Sequence, residues 1–279
     1  MQQKREILRT AQRIVVKVGT STLTHENGKM NLAIMDRLAM AVSELMNENK
    51  EVILVSSGAI GVGMGKFNFR KRPAGMGIKQ ALAAVGQCEL MNIYSRMFST
   101  YNHMVAQVLL SKTDVDDEMK SQNVMNTFKS LLDFGVLPIV NENDTVSVDE
   151  IRSLTMFGDN DTLSAVVAKL VSADLLIILS DIDGLYDKNP RESKESRLIS
   201  FVEDLNDTVL QCAGDSGTNL GTGGMVTKLN AAKIATEAGV NLVIANGRDP
   251  LIMLDILKGK DIGTLFCKRD GMAAGNASI

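Results

Sequence analysis

The sequence is poor in the residues on which many common active sites depend. Its 279 residues include only two histidines, His25 and His103, and three widely separated cysteines. Two histidines leave little material for a zinc site or a Ser-His-Asp triad. An odd, scattered set of cysteines excludes a disulfide framework. Because unpaired cysteines suit a reducing compartment, we expect a cytoplasmic protein.

Long hydrophobic runs and a strong excess of one charge are also missing. No window approaches about 18 consecutive apolar residues, and the charged amino terminus lacks the apolar core of a signal peptide. Thirty Lys and Arg against 33 Asp and Glu give a net charge of −3, whereas nucleic-acid binders are usually basic. The short basic segment 66–72 is interpreted as a solvated loop. We therefore expect neither a membrane span nor a nucleic-acid partner.

Apolar runs of strand length alternate with helical patterns along the chain. Strand–helix alternation predicts an α/β fold, with a mostly parallel open sheet and helices on both faces. Pro138 argues against a central, fully paired position for the fourth strand. Two irregular stretches, 144–160 and 184–224, suggest a soft division into lobes near residue 175. The predicted strands are 13–18, 51–56, 104–110, 136–140, 174–180, 240–245 and 263–267. One predicted helix has Asn31 as its N-cap, and five more cover about 78–99, 118–132, 161–172, 225–238 and 250–258.

Polar or glycine-bearing segments follow five of the predicted strands. In open α/β sheets, ligands bind beyond the carboxyl ends of the strands. Any one of these segments could be ordinary turn chemistry, but five at one edge predict a binding site. They are 17–21, 56–61, 141–145, 180–184 and 246–248.

Lys17 is the most informative single residue, because it lies inside an apolar strand. A buried ammonium is unfavourable unless it meets an anion. A lysine at a strand end can also extend to water, so both interpretations stay open. The following Gly19, Thr20 and Ser21 offer amides and hydroxyls to a phosphate or a carboxylate.

Two glycine-rich segments invite comparison with phosphate-binding loops. Residues 58–66 fail the P-loop pattern, because Ile60 and Phe67 occupy positions that need Gly and Ser or Thr. No GxGxxG spacing supports a dinucleotide fold, which speaks against a dehydrogenase. Residues 221–228 precede a predicted helix, where glycines and a helix amino terminus favour a phosphate and Lys228 lies in the first turn. The alternative for this segment is a flexible loop with a helix cap.

Acidic residues form a third group of candidates. Asp144 follows the fourth predicted strand, and Asp159 and Asp161 open a helix. Either of the latter two could be no more than an N-cap. Near two lysines, these carboxylates could also hold the lysines, bind a substrate ammonium or help to hold a metal–nucleotide complex.

Six motifs, taken in order, resemble the amino acid kinase family. Their order and number make the resemblance specific, and it covers the chain from near residue 14 to about 250. Within the family they are closest to kinases that phosphorylate L-glutamate. The motifs are KVGTS at 17–21, VSSGAIGVG at 55–63, IVNENDTV at 139–146, FGDNDTLSA at 157–165, LSDIDGLYDKNPR at 179–191 and GTGGMVTKLNAA at 221–232.

The resemblance implies a three-layer αβα sandwich, with an amino-acid-binding lobe at about 1–175 and an ATP-binding lobe at about 176–279. It implies transfer of the ATP γ-phosphoryl group to the side-chain carboxylate of L-glutamate, the first step of proline biosynthesis. Lys17 and Lys228 would neutralise the transferring phosphoryl group, and Asp161 would orient these lysines.

The resemblance also implies the binding residues. Ser57, Asp144 and Asn160 would bind glutamate, with Asp144 the partner of its ammonium. Mg²⁺ would enter chiefly with the nucleotide phosphates, and no residue is implied as a direct metal ligand. The residues expected to contact ATP are Lys17, Ser180, Asp181, Thr222, Gly223, Gly224, Met225, Val226, Thr227 and Lys228.

Further expectations concern domains and partners. Many glutamate-phosphorylating members carry a C-terminal PUA domain, and about 35 residues follow the sixth apolar run here. We therefore expect a single kinase domain over 1–279 and no PUA domain. A homo-oligomer and functional coupling to the next enzyme of the proline pathway are further possibilities. Two alternatives stay open: a family member with another carboxylate, carbamate or phosphate substrate, and a catalytically silent amino-acid-binding regulator.

Overall fold

The computed structural model describes most of the chain, and the description below concerns these residues. They are residues 2–25, 29–69, 71–146, 156–190, 192–193, 195–206, 209 and 224–269.

One sheet of eight strands runs through the described part of the chain, in the order β3-β4-β2-β1-β5-β7-β8-β6. Neighbouring strands are parallel except for β7 and β8, which are antiparallel. β1 is central, and its Lys17 lies opposite Val55 of β2 and Ile178 of β5. The strands are β1 (Arg13–Val18), β2 (Glu51–Ser56), β3 (Val105–Leu110), β4 (Leu137–Glu142), β5 (Leu175–Ser180), β6 (Phe201–Val202), β7 (Asn241–Asn246) and β8 (Thr264–Phe266).

Helices cover both faces of the sheet. α3, α5 and α10 pack on one face, and α7, α8 and α9 pack on the other, each over its own buried apolar core. The predicted α/β fold with three αβα layers is confirmed. The helices are α1 (Gln2–Arg5), α2 (Thr20–Leu23), α3 (Leu32–Asn47), α4 (Ala59–Lys66), α5 (Met76–Thr100), α6 (Lys112–Asp116), α7 (Glu118–Asp133), α8 (Asn160–Leu170), α9 (Met225–Glu237) and α10 (Ile252–Leu257).

Alternation of the sheet residues explains the two cores. Along β1, Ile14, Val16 and Val18 face the first core, whereas Val15 faces the second. Successive side chains in a strand point to opposite faces, so a strand covered on both sides is apolar throughout. The continuous apolar runs in the sequence reflect this double burial.

All seven predicted strands are present, but two details differ from the prediction. Pro138 lies in β4, an interior strand with β3 on one side and β2 on the other, although the sequence argued against a central, fully paired position for this strand. The pairing of β4 with β2 begins only at Ile139, so Pro138 precedes the paired part of that ladder. The eighth strand, β6, is two residues long, too short for its apolar pattern to be recognised.

Most of the glycine-rich segment 58–66 forms the helix α4, with Gly58 as its N-cap, and Gly63 of this helix packs against α5. A Cβ on Gly63 would lie 2.1 Å from the Leu82 carbonyl oxygen, and one on Gly86 would lie 1.7 Å from the Ala59 carbonyl oxygen. Such distances are shorter than any real contact, so α4 and α5 touch through their backbones. This contact fixes α5 against the chain that follows β2.

The length and the polarity of a helix decide whether it can cross a membrane. None of the helices in the described ranges is long and apolar enough to cross one.

Candidate active site

Parallel strands bring their carboxyl ends to one edge of the sheet, and α8 begins there. β1 ends at Val18, opposite Ser56 of β2 and next to Leu179 of β5. α8 packs against β1, β2, β4 and β5. The first turn of this helix therefore lies among the polar strand ends that the sequence singled out.

Asp161, in the first turn of α8, is the centre of a buried cluster of ion pairs. Its Oδ1 lies 2.6 Å from the Lys17 Nζ, and its Oδ2 lies 3.2 Å from the Lys228 Nζ. Asp161 is 1% exposed, Lys17 8% and Lys228 4%. Of the two interpretations of Lys17 that the sequence left open, the structure therefore shows contact with an anion rather than extension into water.

The charges of this cluster favour an ionised carboxylate. Burial by itself would raise the pKa of Asp161, because desolvation disfavours the charged form. The ammonium groups of Lys17 and Lys228 outweigh burial and hold the pKa of Asp161 below its usual value. Two ammonium groups and one carboxylate leave the cluster with a net positive charge, which suits a phosphoryl group.

Asp159 caps α8 and leaves Asp161 available for the lysines. Asp159 Oδ1 accepts from the Thr162 amide over 2.8 Å, and its Oδ2 accepts from the Thr162 hydroxyl over 3.0 Å. Burial and the nearby Asp161 carboxylate raise the pKa of Asp159 more than these hydrogen bonds and Lys17 lower it. Of the two candidate caps in the sequence, Asp159 is the cap and Asp161 is not.

Lys228 and Thr227 reach the cluster from the first turn of α9, which follows Gly224. The Thr227 hydroxyl lies 2.9 Å from Asp161 Oδ2 and 2.8 Å from the Gly224 carbonyl oxygen, and it can donate to either. Met225 packs partly against the second core, and Val226 is exposed. Thr222 and Gly223 lie outside the described residues.

Asn160, the residue before Asp161, belongs to a second, uncharged group. Its Nδ2 lies 2.9 Å from the Ser57 hydroxyl, 3.1 Å from the Ser56 carbonyl oxygen and 2.9 Å from Asn141 Oδ1. Two of the three predicted substrate-binding residues, Ser57 and Asn160, are therefore in direct contact. With Nδ2 engaged, the amide can present its oxygen to a ligand.

Asn141 extends this group to Gln87 on α5. Asn141 Oδ1 also accepts from the Glu142 amide over 2.9 Å, and its Nδ2 donates to Gln87 Oε1 over 2.9 Å. Asn141 is 3% exposed and Gln87 6%. We call Ser57, Asn160, Asn141 and Gln87 the amide relay.

The remaining predicted residues lie at neighbouring strand ends. Asp144 opens a short 3-10 turn three residues beyond Asn141, and it is partly buried. Ser180 ends β5, where its hydroxyl donates to Asp181 Oδ1 over 3.1 Å. These positions agree with the predicted edge of the sheet, and the roles of the residues stay predictions.

Three residues near the site had no predicted role. Asn141 and Glu142 lie in the polar end of β4, so their position was a usable signal. Glu142 is buried, and its Oε1 accepts from the Phe157 amide over 2.6 Å, which ties β4 to the segment before α8. Gln87 lies in the middle of a helix, and only its burial and contacts reveal it.

Comparison with known sequences shows the family of the chain. The sequence model of the amino acid kinase family matches residues 12–246. Glutamate 5-kinase of Clostridium perfringens is 54% identical over 267 residues, which cover 96% of this chain and 99% of that protein. The chain belongs to the amino acid kinase family, among the glutamate 5-kinases. Glutamate 5-kinase of Enterococcus faecalis is 52% identical over 264 residues, covering 95% of this chain and 97% of that one.

A solved structure of the amino acid kinase fold matches the architecture. Carbamate kinase from Giardia lamblia bound to AMP-PNP superposes with a TM-score of 0.67 at 15% identity, covering 94% of this chain and 100% of that chain. At this identity the likeness concerns the fold alone.

Proposed function

We propose that the protein transfers the γ-phosphoryl group of ATP to the side-chain carboxylate of L-glutamate, giving γ-glutamyl phosphate and ADP. This is the first step of proline biosynthesis. Membership among the glutamate 5-kinases supports the assignment. The structural observation that carries it is the juxtaposition, in one helical turn, of the Asp161 ion-pair cluster and the amide relay.

The chemistry needs charge stabilisation more than a base. A carboxylate is already nucleophilic, so no proton has to be removed before it attacks the γ-phosphorus. The attack forms a bond from the carboxylate oxygen to phosphorus, and the bond from phosphorus to the ADP oxygen breaks. The obstacle is the approach of two anions, which positioning and cations overcome in phosphoryl transfer.

Lys17 and Lys228 are the cations proposed for this step. Each is buried and oriented by the same carboxylate, Asp161. Donors that are fixed before the reaction stabilise developing charge without reorganising. In this proposal Asp161 is a positioning residue, since it acts through the two lysines.

Ser57, Asn160 and Asp144 are proposed to bind glutamate. The contact between Ser57 and Asn160 supports a joint role for them. Asp144 is the proposed partner of the substrate ammonium, because a carboxylate can form a charge-assisted hydrogen bond with it.

ATP is proposed to lie over the carboxyl end of β5 and the amino terminus of α9. The described residues assigned to it are Lys17, Ser180, Asp181 and the segment from Gly224 to Lys228. Thr222 and Gly223, outside the described residues, are also assigned to it. The amino terminus of α9 favours phosphate through its free amides and its dipole. In this arrangement the amino-acid lobe covers about 1–175 and the nucleotide lobe about 176–279.

Mg²⁺ is proposed to enter with the nucleotide, held chiefly by its phosphates. Within the described ranges, no group of three or more His, Cys, Asp or Glu side chains could hold a metal ion. Asp161, the most central carboxylate, is already engaged by two lysines. A bound Mg²⁺ would neutralise part of the phosphate charge.

Three further features belong to the proposal. The protein acts in the cytoplasm, it forms a homo-oligomer, and it is functionally coupled to the next enzyme of proline biosynthesis, to which a labile acyl phosphate must pass. The instability of acyl phosphates in water is the chemical reason for such coupling.

A trapping assay tests the activity directly. Purified protein is incubated with ATP, Mg²⁺ and hydroxylamine, which converts an acyl phosphate into a hydroxamate. L-Glutamate should give γ-glutamyl hydroxamate and ADP in equal amounts, and L-aspartate should give far less product. Equal rates for the two amino acids, or turnover only with a phosphate-bearing acceptor, would contradict the assignment.

A further inference from the structure

The hydrogen bonds of the amide relay fix the orientation of each amide in it. The Glu142 amide is a donor, so Asn141 must turn its Oδ1 towards it. The Nδ2 of Asn141 then donates to Gln87, which must present Oε1 to it. Because each amide has one oxygen and one nitrogen, the Nε2 of Gln87 is left as the outward donor of the relay.

This donor is buried and unused. Gln87 is 6% exposed, and its Nε2 has no hydrogen-bond partner among the residues that the structure describes. A buried donor without an acceptor is unfavourable, because it has given up its hydrogen bonds to water and gained none in exchange. Native proteins keep few such groups, and those they keep call for an explanation.

The position of Gln87 suggests the acceptor. The preceding residue, Gly86, touches the backbone of Ala59 and Gly63 in α4, so α5 lies against the chain just after Ser57. Through Asn141, Gln87 is also two hydrogen-bonded side chains away from Ser57. Its free donor therefore belongs to the same region as the proposed glutamate-binding residues.

We infer that Gln87 is a specificity-determining residue whose Nε2 donates to the α-carboxylate of bound glutamate. This inference rests on the proposed function. The γ-carboxylate has to face the phosphoryl group beside Lys17 and Lys228, so the α-carboxylate is the acceptor left for a donor in the amide relay. The amide relay then offers the Nε2 of Gln87 as a donor to the α-carboxylate of glutamate. It offers the side-chain oxygen of Asn160 as an acceptor to the ammonium group of glutamate.

The substitution Gln87→Glu separates this contact from a structural role. Glutamate at position 87 keeps an oxygen that accepts from Asn141 Nδ2, so the relay survives. The donor is replaced by an anionic oxygen, which repels the substrate's α-carboxylate. A substrate with an α-carboxamide instead keeps the reacting γ-carboxylate and brings a donor of its own.

The measurement is kcat/KM for L-glutamate and for its α-amide, followed by ADP release in the wild type and in Gln87→Glu. We expect the wild type to prefer glutamate and the variant to lose at least about tenfold of that preference. The loss should grow from pH 6.5 to pH 9, because an introduced carboxyl group that is still protonated can donate as the amide does. Gln122→Glu, at an exposed position on α7, is the control for the added charge.

An unchanged preference over this pH range, or an equal fall for both substrates, would overturn the inference and leave Gln87 a structural residue. Should Gln87→Glu not fold, Gln87→Met answers the same question, since loss of the donor alone should lower the preference for glutamate. Failure of the proposed function is a distinct result, because wild-type protein would then form no γ-glutamyl hydroxamate.

Discussion

Two consecutive residues at the start of α8 enter regions of opposite character. Asp161 joins a cluster of charged side chains that carries a net positive charge, and Asn160 joins a relay of uncharged amides and hydroxyls. The charged cluster includes residues of α9, whereas the amide relay extends to α5, and these two helices cover opposite faces of the sheet. One helical turn thus supplies both a charged and a neutral half of the candidate site.

The two regions are sensitive to different changes. Buried charges are tolerated only as a set, because removal of one leaves another without compensation. Buried amides carry no net charge, so the direction of each hydrogen bond decides which groups of a ligand they can bind. We therefore expect substitutions in the charged cluster to affect stability and rate, and substitutions in the amide relay to affect substrate binding.

The largest effect is expected for Asp161→Asn. It leaves two buried ammonium groups without their carboxylate, and breaking a buried ion pair in this way costs about 3–5 kcal/mol. The free energy of unfolding at pH 7, from urea denaturation, should fall by that amount, and activity should be lost. Asp159→Asn is the matched control, since asparagine caps a helix as well as aspartate does, and it should cost less than about 1 kcal/mol.

The difference in free energy of unfolding between wild type and Asp161→Asn should depend on pH, with a definite sign. The pKa of Asp161 is lower in the folded protein than its usual value, which is about 3.9 when unfolded. Its contribution is therefore fully present above about pH 4 and is lost as the pH falls through the folded pKa. The gap in stability between wild type and Asp161→Asn should narrow only in acid, and a gap that widens there would contradict the ion-pair assignment.

The next effect concerns Lys228, which is expected to stabilise the transferring phosphoryl group. Lys228→Met keeps the apolar stem and removes the charge, and loss of one fixed donor typically lowers kcat by about 10²–10³. Lys228→Arg should recover little, because a broad planar guanidinium does not replace a compact ammonium in a buried cluster. Steady-state kinetics and thermal denaturation are measured together. A folded Met variant with nearly normal kcat would refute the catalytic role.

A smaller effect, confined to substrate binding, is expected for Asp144→Asn. The change keeps the size of the side chain and removes the charge, so a charge-assisted contact with the substrate ammonium is lost, at about 1.5–3 kcal/mol. The KM for glutamate should rise, while the KM for ATP should change little. A fall in ATP affinity instead would assign Asp144 to the metal–nucleotide side.

The charged half of the site was easier to predict from the sequence than the neutral half. A lysine inside an apolar strand is conspicuous, because its burial requires an anion, and Lys17 therefore pointed to a partner such as Asp161. Gln87 is inconspicuous, since glutamine is common on helices and its position in α5 carries no signal of its own. Its orientation depends on a chain of hydrogen bonds across three elements.

Some elements of the fold were likewise predictable from the sequence, and others were not. Strands β1 and β5 were predictable because both of their faces are buried and their residues are apolar, apart from Arg13 and Lys17 in β1 and Ser180 in β5. The helix at 59–66 was not predicted, since glycine is unfavourable inside a helix. Gly63 is required by a backbone contact with α5, which only the tertiary structure contains.

The smallest expected effects come from two glycines of α5. A Cβ at Gly86 would overlap the Ala59 carbonyl, so Gly86→Ala must push α5 away from α4 and should cost about 1–3 kcal/mol, typical of overpacking. Gly77 has nothing within 4 Å of such a Cβ, and Gly77→Ala should stabilise the helix by up to about 1 kcal/mol. Because α5 carries Gln87 and the lysine cluster lies under α9, Gly86→Ala should raise the KM for glutamate more than the KM for ATP. Unfolding free energies and both KM values check this, and an equal rise in the two would mean that the halves of the site are not separable.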